Sequence, residues 1–358
     1  MSKKIILTGG GSAGHVTPNL ALVPRLQKDG FIISYIGSKN GIEREIIEKT
    51  NIPYSGISSG KLRRYFSLKN FSDPFRILSG YFQAKKILKK ERPDILFSKG
   101  GYVTVPVVFA ANKLKVPVVL HESDYTPGLA NKLCIPKAQK VCVSFESAAQ
   151  HIEGGKCVLT GSPVRAELFT GTREQGLTRL GFDGSKPVLL IMGGSLGALA
   201  INDAIDMILD RLLTEFDIVH IRGEKKLNPA FQGKKGYVQF EFVSKELPDI
   251  FAATDYMISR AGANAIFEML ALQIPALLIP LPLEASRGDQ ILNAKFFEKK
   301  GFSHILEQND ITPEVMMEKI EALKIAGKSL RKNMAESGIA NGTDNVIDVI
   351  ESVLEHRA

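Results

Sequence analysis

Few features of this sequence point away from an ordinary globular protein. There are three cysteines, an odd number without metal-ligand spacing, which predicts reduced thiols rather than a disulfide framework. No run of about 18 apolar residues occurs, so we expect no membrane-spanning helix. The amino terminus, MSKKIILTGG, runs directly into a strand-like segment. It has no hydrophobic leader, and we therefore expect no signal peptide.

Acidic residues are scarce in the first half of the chain. Residues 1–165 contain 25 Lys and Arg against 11 Asp and Glu, whereas the remainder contains 21 against 27. This asymmetry indicates that only the first half meets an anionic surface or a polyanion. The total length of 358 residues predicts two domains, each large enough to bury its own core.

Short apolar segments alternate with helix-length spacers along the whole chain, which predicts an α/β fold with parallel sheets. A Gly/Pro turn at residues 161–165 (GSPVR) favours a domain break there, giving domains 1–163 and 164–342. Residues 343–358 have the pattern of an amphipathic helix, and we expect it to pack back on the first domain. The strand candidates are residues 4–8, 31–36, 94–98, 116–120, 140–143, 157–160, 187–192, 217–221, 237–242, 255–258 and 275–279.

A glycine-rich turn follows a strand candidate once in each half, at residues 9–14 (GGGSAG) and 193–198 (GGSLGA). Such a turn is typical of the first βα connection of a nucleotide-binding domain, where helix amides face an anion. A tight strand–helix turn is the alternative. The dinucleotide fingerprint also needs an acidic residue after the second strand. Residues 37–39 are GSK, which disfavours NAD.

His15 directly follows the first glycine turn, a position that suits a general base acting on a hydroxyl. A capping or surface role is the alternative. In the second half, Glu268 follows a Gly turn into a helix, where a carboxylate can accept both hydroxyls of a ribose. A favourable interaction with the helix dipole is the other interpretation of Glu268. No His, Asp and Glu set has metal-ligand spacing, so we expect neither a metal nor another cofactor.

Residues 61–92 combine ten Lys and Arg with aromatic and aliphatic side chains. This composition suits docking on an anionic membrane. A solvated basic helix packing on its own domain is an open alternative. Nucleic acid is a weaker third interpretation, because no nucleic-acid-binding motif accompanies the charge, and we expect no nucleic-acid partner.

Taken together and in order, the motifs resemble the MurG family of cell-wall glycosyltransferases over essentially the whole chain. SGKLRRY and SRGDQILNA are particularly similar to Firmicutes-type members. The matching segments are residues 9–18 (GGGSAGHVTP), 98–105, 121–124 (HESD), 126–132 (TPGLANK), 161–165, 193–198, 260–268 and 286–294.

This resemblance implies a GT-B fold, two Rossmann-like, doubly wound parallel-sheet domains with a cleft between them. It implies an inverting, metal-independent transfer of N-acetylglucosamine from UDP-N-acetylglucosamine to the 4-hydroxyl of undecaprenyl-pyrophosphoryl-N-acetylmuramyl-pentapeptide, in peptidoglycan synthesis. The first domain would bind the acceptor and the membrane, and the second the UDP sugar. The protein would act peripherally, at the cytoplasmic face of the cell membrane.

The resemblance also assigns residues to the substrates. Ser12, Ala13, Gly14 and His15 would face the sugar and the acceptor, with His15 as the catalytic base, and Asp124 would lie near the donor. The residues implied for UDP-N-acetylglucosamine in the second half are Arg165, Ser195, Val243, Ala263, Asn264, Ala265, Ile266, Phe267, Glu268 and Gln290.

The chain departs from the family pattern at several positions. Many members have Thr-Gly-Gly where Ser12-Ala13-Gly14 stands, and Asn where Asp124 stands. Others have Gln at the positions of Asp289 and Leu196. An aspartate cannot donate the hydrogen bond of an asparagine, so Asp124 cannot make that contact of the family residue.

Three other functions fit parts of the sequence. A diacylglycerol glucosyltransferase would share the fold and the UDP sugar but use a neutral lipid. A UDP-sugar epimerase would convert the donor without an acceptor. A nucleotide-binding module without catalysis would leave His15 and the first glycine turn without a role.

Overall fold

The computed structural model describes residues 3–60, 69–194, 197–286 and 288–356, with the side chains of residues 69–72 excepted. The chain folds into two compact units. The first comprises Met1–Arg165 together with Asn341–Ala358, and the second comprises Ala166–Ala340. The chain therefore leaves the first unit once and returns to it near the end.

Strands and helices alternate throughout the described residues. The strands are β1 Lys4–Thr8, β2 Ile32–Ser38, β3 Tyr54–Ile57, β4 Ile95–Ser98, β5 Val118–Glu122, β6 Lys140–Val143, β7 Cys157–Leu159, β8 Val188–Met192, β9 Asp217–Ile221, β10 Tyr237–Phe240, β11 Tyr256–Ser259, β12 Ala276–Leu278 and β13 Ser303–Ile305. The α-helices are α1 Thr17–Lys28, α2 Ile42–Ile47, α3 Lys69–Glu91, α4 Thr104–Lys113, α5 Leu129–Cys134, α6 Arg173–Leu180, α7 Leu199–Leu212, α8 Leu247–Ala253, α9 Ala263–Ala271, α10 Asp289–Lys299, α11 Pro313–Ala335 and α12 Thr343–Glu355.

Each unit contains one parallel sheet. The first has the order β3-β2-β1-β4-β5-β6-β7, and the second has the order β10-β9-β8-β11-β12-β13. The central strands β4, β5 and β9 are buried along their whole length, as expected for strands covered by helices on both faces. The predicted α/β class with two parallel-sheet domains is confirmed.

The strand candidates from the sequence do not include β3 and β13. Both lie at a sheet edge and are short, and most of their residues are only partly buried. A strand that is covered less completely needs no continuous apolar run, and periodicity therefore does not reveal it.

The carboxyl-terminal helix α12 belongs to the core of the first unit. Val346, Ile347 and Ile350 are fully buried against residues of β1, β4 and β5. Asn345 Nδ2 donates to the carbonyl of Thr160, 3.0 Å away, at the end of the same unit. None of the helices in the described part of the chain is both long and apolar enough to cross a lipid bilayer.

Candidate active site

In both units the loops that follow the carboxyl ends of the parallel strands carry the candidate residues. Open α/β sheets bind ligands at this edge. In the first unit the loops after β1, β4 and β5 lie side by side, because these three strands are neighbours in the sheet. In the second unit the corresponding loops follow β8, β10, β11 and β12.

The loop after β1 packs tightly on the loop after β4. Gly10 N donates to Gly100 O at 3.3 Å. Gly101 has φ +91°, and a Cβ placed on it would lie 2.0 Å from Gly10 O and 3.2 Å from His15 Cδ2. Only glycine allows this approach, so the His15 imidazole lies against the backbone of the neighbouring loop.

His15 ends a single 3-10 turn, Ala13–His15, directly before α1. Its backbone N–H donates to Ser12 O at 3.2 Å, which fixes the turn, and its side chain is half-buried. Ser12 and Gly14 are exposed and Ala13 is half-buried. These four residues therefore form one accessible segment at the carboxyl edge of the first sheet.

A buried glutamate that the sequence analysis missed holds the first glycine turn. Glu43 is fully buried, and its Oε2 accepts from Gly11 N at 3.1 Å. Its Oε1 accepts from Ser38 N at 2.9 Å. This side chain occupies an amide of the turn that the sequence predicted to face an anion. A carboxylate shortly after the second strand was the available signal, because Glu43 follows the GSK segment by four residues.

Polar side chains form a buried cluster at the ends of β4 and β5. Glu122 accepts from Asp124 N at 2.9 Å, Gly128 N at 3.0 Å and Asn131 Nδ2 at 2.8 Å. Lys99 is 1% exposed and its ammonium donates to Ser123 Oγ. These contacts fix the loop that carries Asp124, whose own side chain is half-buried.

Burial dominates the electrostatics of this cluster. It lowers the pKa of the Lys99 ammonium to about 8, although the charges of Glu122 and Asp124 act in the opposite direction. It raises the pKa of the Glu122 carboxyl, and the charge of Asp124 adds to that effect. Burial and the charge of Lys99 hold the pKa of His121 well below its usual value, so this imidazole is neutral at neutral pH.

Gly197, in the glycine turn of the second unit, packs against the backbone of Arg222, the residue that follows β9. Gly197 has φ +68°, and a Cβ on it would lie 2.1 Å from Arg222 O. The Arg222 guanidinium binds both carboxylate oxygens of Asp206, at 2.6 and 2.8 Å. Ser195, a predicted nucleotide contact, lies outside the described residues, as does Leu196.

The amino terminus of α9 presents the predicted phosphate segment. The amides that an α-helix points out of its first turn belong here to residues 263–265. The side chains of Ile266 and Phe267 are fully buried, and the Phe267 ring packs on Phe297 at 5.6 Å. Ile266 N donates to Gly262 O at 3.1 Å. These two residues could therefore contact a ligand only through their backbone, and their place among the donor-binding residues stays a prediction.

Glu268 is half-buried on α9, in the turn that follows those amides. Gln290 lies in the first turn of α10, and its Oε1 accepts from Leu281 N at 3.1 Å. Asn293 of the same helix donates to Ala261 O at 3.2 Å, so α10 is tied to the loop before α9. Glu268 and Gln290 thus stand on two helices joined at the same edge.

Arg260 is a second feature that the sequence analysis did not use as a site residue. It follows β11, is 8% exposed, and donates to Ile279 O at 3.1 Å, Pro280 O at 3.3 Å and Gln308 Oε1 at 2.7 Å. All three acceptors are neutral, and burial lowers the pKa of the guanidinium. Arg260 is therefore a cation with no carboxylate among these contacts, three residues before the first residue of α9.

Two predicted contacts, Val243 and Arg165, precede these helices in the sequence. Val243 is buried in the loop after β10, next to Phe242, which is 70% exposed. Arg165 is half-buried and is the last residue of the first stretch of unit one.

Two domain families match the chain. The glycosyltransferase family 28 N-terminal domain matches residues 5–143, and the glycosyltransferase family 28 C-terminal domain matches residues 188–350. The chain belongs to glycosyltransferase family 28.

Two clostridial proteins align with this family 28 chain over nearly their full length. A protein of Clostridium botulinum (strain Langeland) is 56% identical over 349 residues, which cover 98% of this chain and 99% of the relative. One of Clostridium tetani is 53% identical and covers 98% of each chain. Both are named UDP-N-acetylglucosamine--N-acetylmuramyl-(pentapeptide) pyrophosphoryl-undecaprenol N-acetylglucosamine transferase.

A solved structure is similar over the same range. The crystal structure of Acinetobacter baumannii MurG has a TM-score of 0.78 at 26% identity, covering 98% of this chain and 99% of that chain. The predicted GT-B fold and the resemblance to the MurG family are therefore confirmed, and this family 28 member is a glycosyltransferase.

Proposed function

We propose that this protein transfers N-acetylglucosamine from UDP-N-acetylglucosamine to the 4-hydroxyl of undecaprenyl-pyrophosphoryl-N-acetylmuramyl-pentapeptide. The observation that carries this proposal is the 56% identity, over nearly the full length of both chains, to a relative named for this activity. Such a step would convert a lipid-linked monosaccharide into a lipid-linked disaccharide for peptidoglycan synthesis.

The reaction is a single displacement. The acceptor oxygen bonds to the anomeric carbon as the bond from that carbon to the diphosphate oxygen breaks. UDP leaves with the electron pair, and the hydroxyl proton passes to His15. One displacement inverts the α-linked donor to a β-1,4 product. His15 suits the base role because it is half-buried on an accessible segment and its ring rests on Gly101.

We assign the nucleotide to the second unit. The amides of residues 263–265 point out of a helix terminus, a site that favours phosphate oxygens. Arg260 adds a buried positive charge three residues before the first residue of that helix, where charge developing on UDP needs stabilisation. Glu268, one turn further, is the acceptor we assign to the ribose hydroxyls, and Gln290 is assigned to the sugar. Arg165, Val243 and Ser195 stay as proposed nucleotide contacts.

The first glycine turn has a different role from the second. Because Glu43 accepts from Gly11 N, that amide is used within the protein and a carboxylate lies beneath the turn. We therefore propose that this turn positions residues 12–15 for the acceptor and the sugar rather than binding the nucleotide diphosphate.

We further propose that α3 docks the protein on an anionic membrane, at its cytoplasmic face. Phe75, Leu78 and Phe82 are 75%, 54% and 59% exposed and follow a helical i, i+3, i+7 spacing. The same helix carries five cations within this stretch and the turns after it, Arg76, Lys85, Lys86, Lys89 and Lys90. Exposed apolar side chains beside cations are typical of interfacial helices. Residues 61–68 of the basic segment lie outside the described residues.

Incubation with radiolabelled UDP-N-acetylglucosamine tests the proposed function. We expect label to pass to the undecaprenyl-linked muramyl-pentapeptide, equally with and without a chelator. Transfer to diacylglycerol in place of this acceptor would indicate the glucosyltransferase-type function. Conversion of the donor without any acceptor would indicate an epimerase.

A further inference from the structure

Lys99 is a buried cation at the carboxyl edge of the first sheet for which the proposed reaction has no role. Its backbone N–H donates to Thr8 O at 2.9 Å, which ties it to the end of β1, and its ammonium donates to Ser123 Oγ. At 1% exposure the side chain is covered by protein on every side. Burying an ammonium costs free energy, so its presence here requires a compensating interaction.

The groups that face Lys99 come from two neighbouring strands and one loop. His121 and Glu122 belong to β5, Asp124 follows β5, and Cys142 belongs to β6. His121 is neutral at neutral pH, and burial raises the pKa of the Cys142 thiol to about 12. The charged groups of this cluster are therefore the carboxylates of Glu122 and Asp124 and the ammonium of Lys99.

A diphosphate ester approaching this edge meets carboxylates of its own sign. Asp124 is the half-buried one, whereas Glu122 is 4% exposed and accepts three hydrogen bonds. Without Lys99 the cluster would carry two negative charges next to the segment of His15, and each would repel the substrate.

We propose that Lys99 is a charge-compensating residue of the active site, which offsets the Asp124 carboxylate so that a diphosphate-linked substrate can bind at the loops after β1 and β5. This inference rests on the proposed function, because it requires substrates that carry a diphosphate. Both substrates do so, and the experiment measures them separately.

The size of the effect follows from Coulomb's law. Consider two unit charges about 10 Å apart at an effective dielectric constant of about 20. Their interaction energy is roughly equal to the free energy that changes a binding constant tenfold. Lys99→Met keeps the length of the side chain and removes the charge. We expect the KM of the substrate bound at this edge to rise about tenfold in this variant, with a smaller change in kcat.

Charge balance provides the decisive variant. Lys99→Met combined with Asp124→Asn restores the net charge of the cluster, and we expect its KM to return to within about threefold of the unmodified protein. Lys140→Met is the matched control, since it removes a lysine charge from the amino end of β6 in the same sheet, and its KM should be unchanged. A double variant as impaired as Lys99→Met alone would overturn the proposal, as would an unchanged KM in Lys99→Met.

The dependence on pH separates this role from a merely structural one. Lys99 carries its charge below about pH 8, so substrate affinity should fall as pH rises above 8, and this limb should be absent from Lys99→Met. Stability should change in the opposite direction. The unfolded lysine, with its usual pKa of 10.5, binds the proton more tightly than the folded one, so the free energy of unfolding rises with pH between about 8 and 10.5.

As pH rises from about 8 to 10.5, we therefore expect the unmodified protein to bind substrate more weakly and to become more stable. Lys99→Met should show neither change. Parallel loss of binding and stability would assign Lys99 to folding alone and overturn the inference. Donor and acceptor KM values, taken in turn, identify which diphosphate the residue serves. An unmodified protein without any transfer activity would contradict the proposed function instead.

Discussion

The carboxylate of Glu43 accepts a hydrogen bond from the backbone amide of Gly11 over 3.1 Å. A glycine turn that looks like a phosphate loop in the sequence is thereby closed by a side chain from α2. Since the other oxygen of Glu43 accepts from Ser38, one buried residue connects the ends of two neighbouring strands.

Replacing Glu43 with glutamine should destabilise the first unit and reduce catalysis. The amide nitrogen of Gln cannot accept from Gly11 or Ser38, and a buried donor left without its acceptor costs about 2 kcal/mol. We expect the free energy of unfolding to fall by about that amount and kcat to fall about tenfold, because residues 12–15 lose their support. Denaturant unfolding and initial rates measure the two effects.

Glu48→Gln is the control for that substitution. Glu48 pairs with Arg44 at 2.7 Å on the surface, beside the same helix, and its side chain is 51% exposed. Exposed pairs contribute little, so neither stability nor kcat should change measurably. Equal effects from both variants would disprove the role of Glu43.

His15→Ala should abolish most turnover while leaving donor binding intact. Loss of a general base typically costs about 10²–10⁴ in rate. Binding of UDP-N-acetylglucosamine, measured by calorimetry, should be unchanged because the nucleotide is assigned to the second unit. His151→Ala, an exposed histidine of the first unit, is the matched control. Near-native turnover of His15→Ala would remove this residue from the mechanism.

Glu268→Gln should weaken donor binding through the ribose. Hydrogen bonds to a charged group contribute about 1.5–3 kcal/mol, which predicts a rise in donor KM of roughly 10- to 100-fold. A donor with 2′-deoxyribose provides a sharper test: the unmodified protein should discriminate against it, and the variant should not. Glu318→Gln, on the exposed face of α11, is the control. Undiminished discrimination in Glu268→Gln would exclude the ribose contact.

The exposed face of α3 should bind anionic vesicles. Phe75→Ser with Phe82→Ser removes two aromatic side chains from that face, and we expect the partition coefficient to fall at least about tenfold. Replacing Lys85, Lys86, Lys89 and Lys90 with Gln should lower it further and reduce its dependence on salt, since each cation contributes about 1 kcal/mol. Sedimentation with vesicles of phosphatidylglycerol at two salt concentrations measures both effects.

A control of equal exposure is available in the second unit. Met207 and Ile325 are 63% and 78% exposed on α7 and α11. Serine at both positions should leave vesicle binding unchanged. Similar losses from the two pairs would mean that apolar exposure in general, rather than α3, determines binding.

Regularity in the sequence determined what could be predicted from it. The buried central strands carry continuous apolar runs, and they were found close to their observed bounds. The edge strands β3 and β13 carry no such run. Ile266 and Phe267 show what a sequence motif cannot predict. The motif covers a run of neighbouring residues, whereas a helix directs some of their side chains into the core. Glu43 and Lys99 contact loops distant in sequence, at Gly11 and Ser123, and the sequence does not identify these partners even where the position of Glu43 after the second strand gives a signal.

The return of the chain to its first unit has a consequence for biosynthesis. Val164 N donates to Asn341 Oδ1 at 3.4 Å and to Thr343 Oγ1 at 3.3 Å, so the outgoing and returning segments lie next to each other. The second unit is thus an insertion whose ends meet, and it can acquire its structure while still attached to the ribosome. The first unit, made earlier, lacks Val346, Ile347 and Ile350 until the segment that follows the second unit is translated. The nascent amino-terminal half must therefore wait, with part of its hydrophobic interior uncovered, for α12 to emerge.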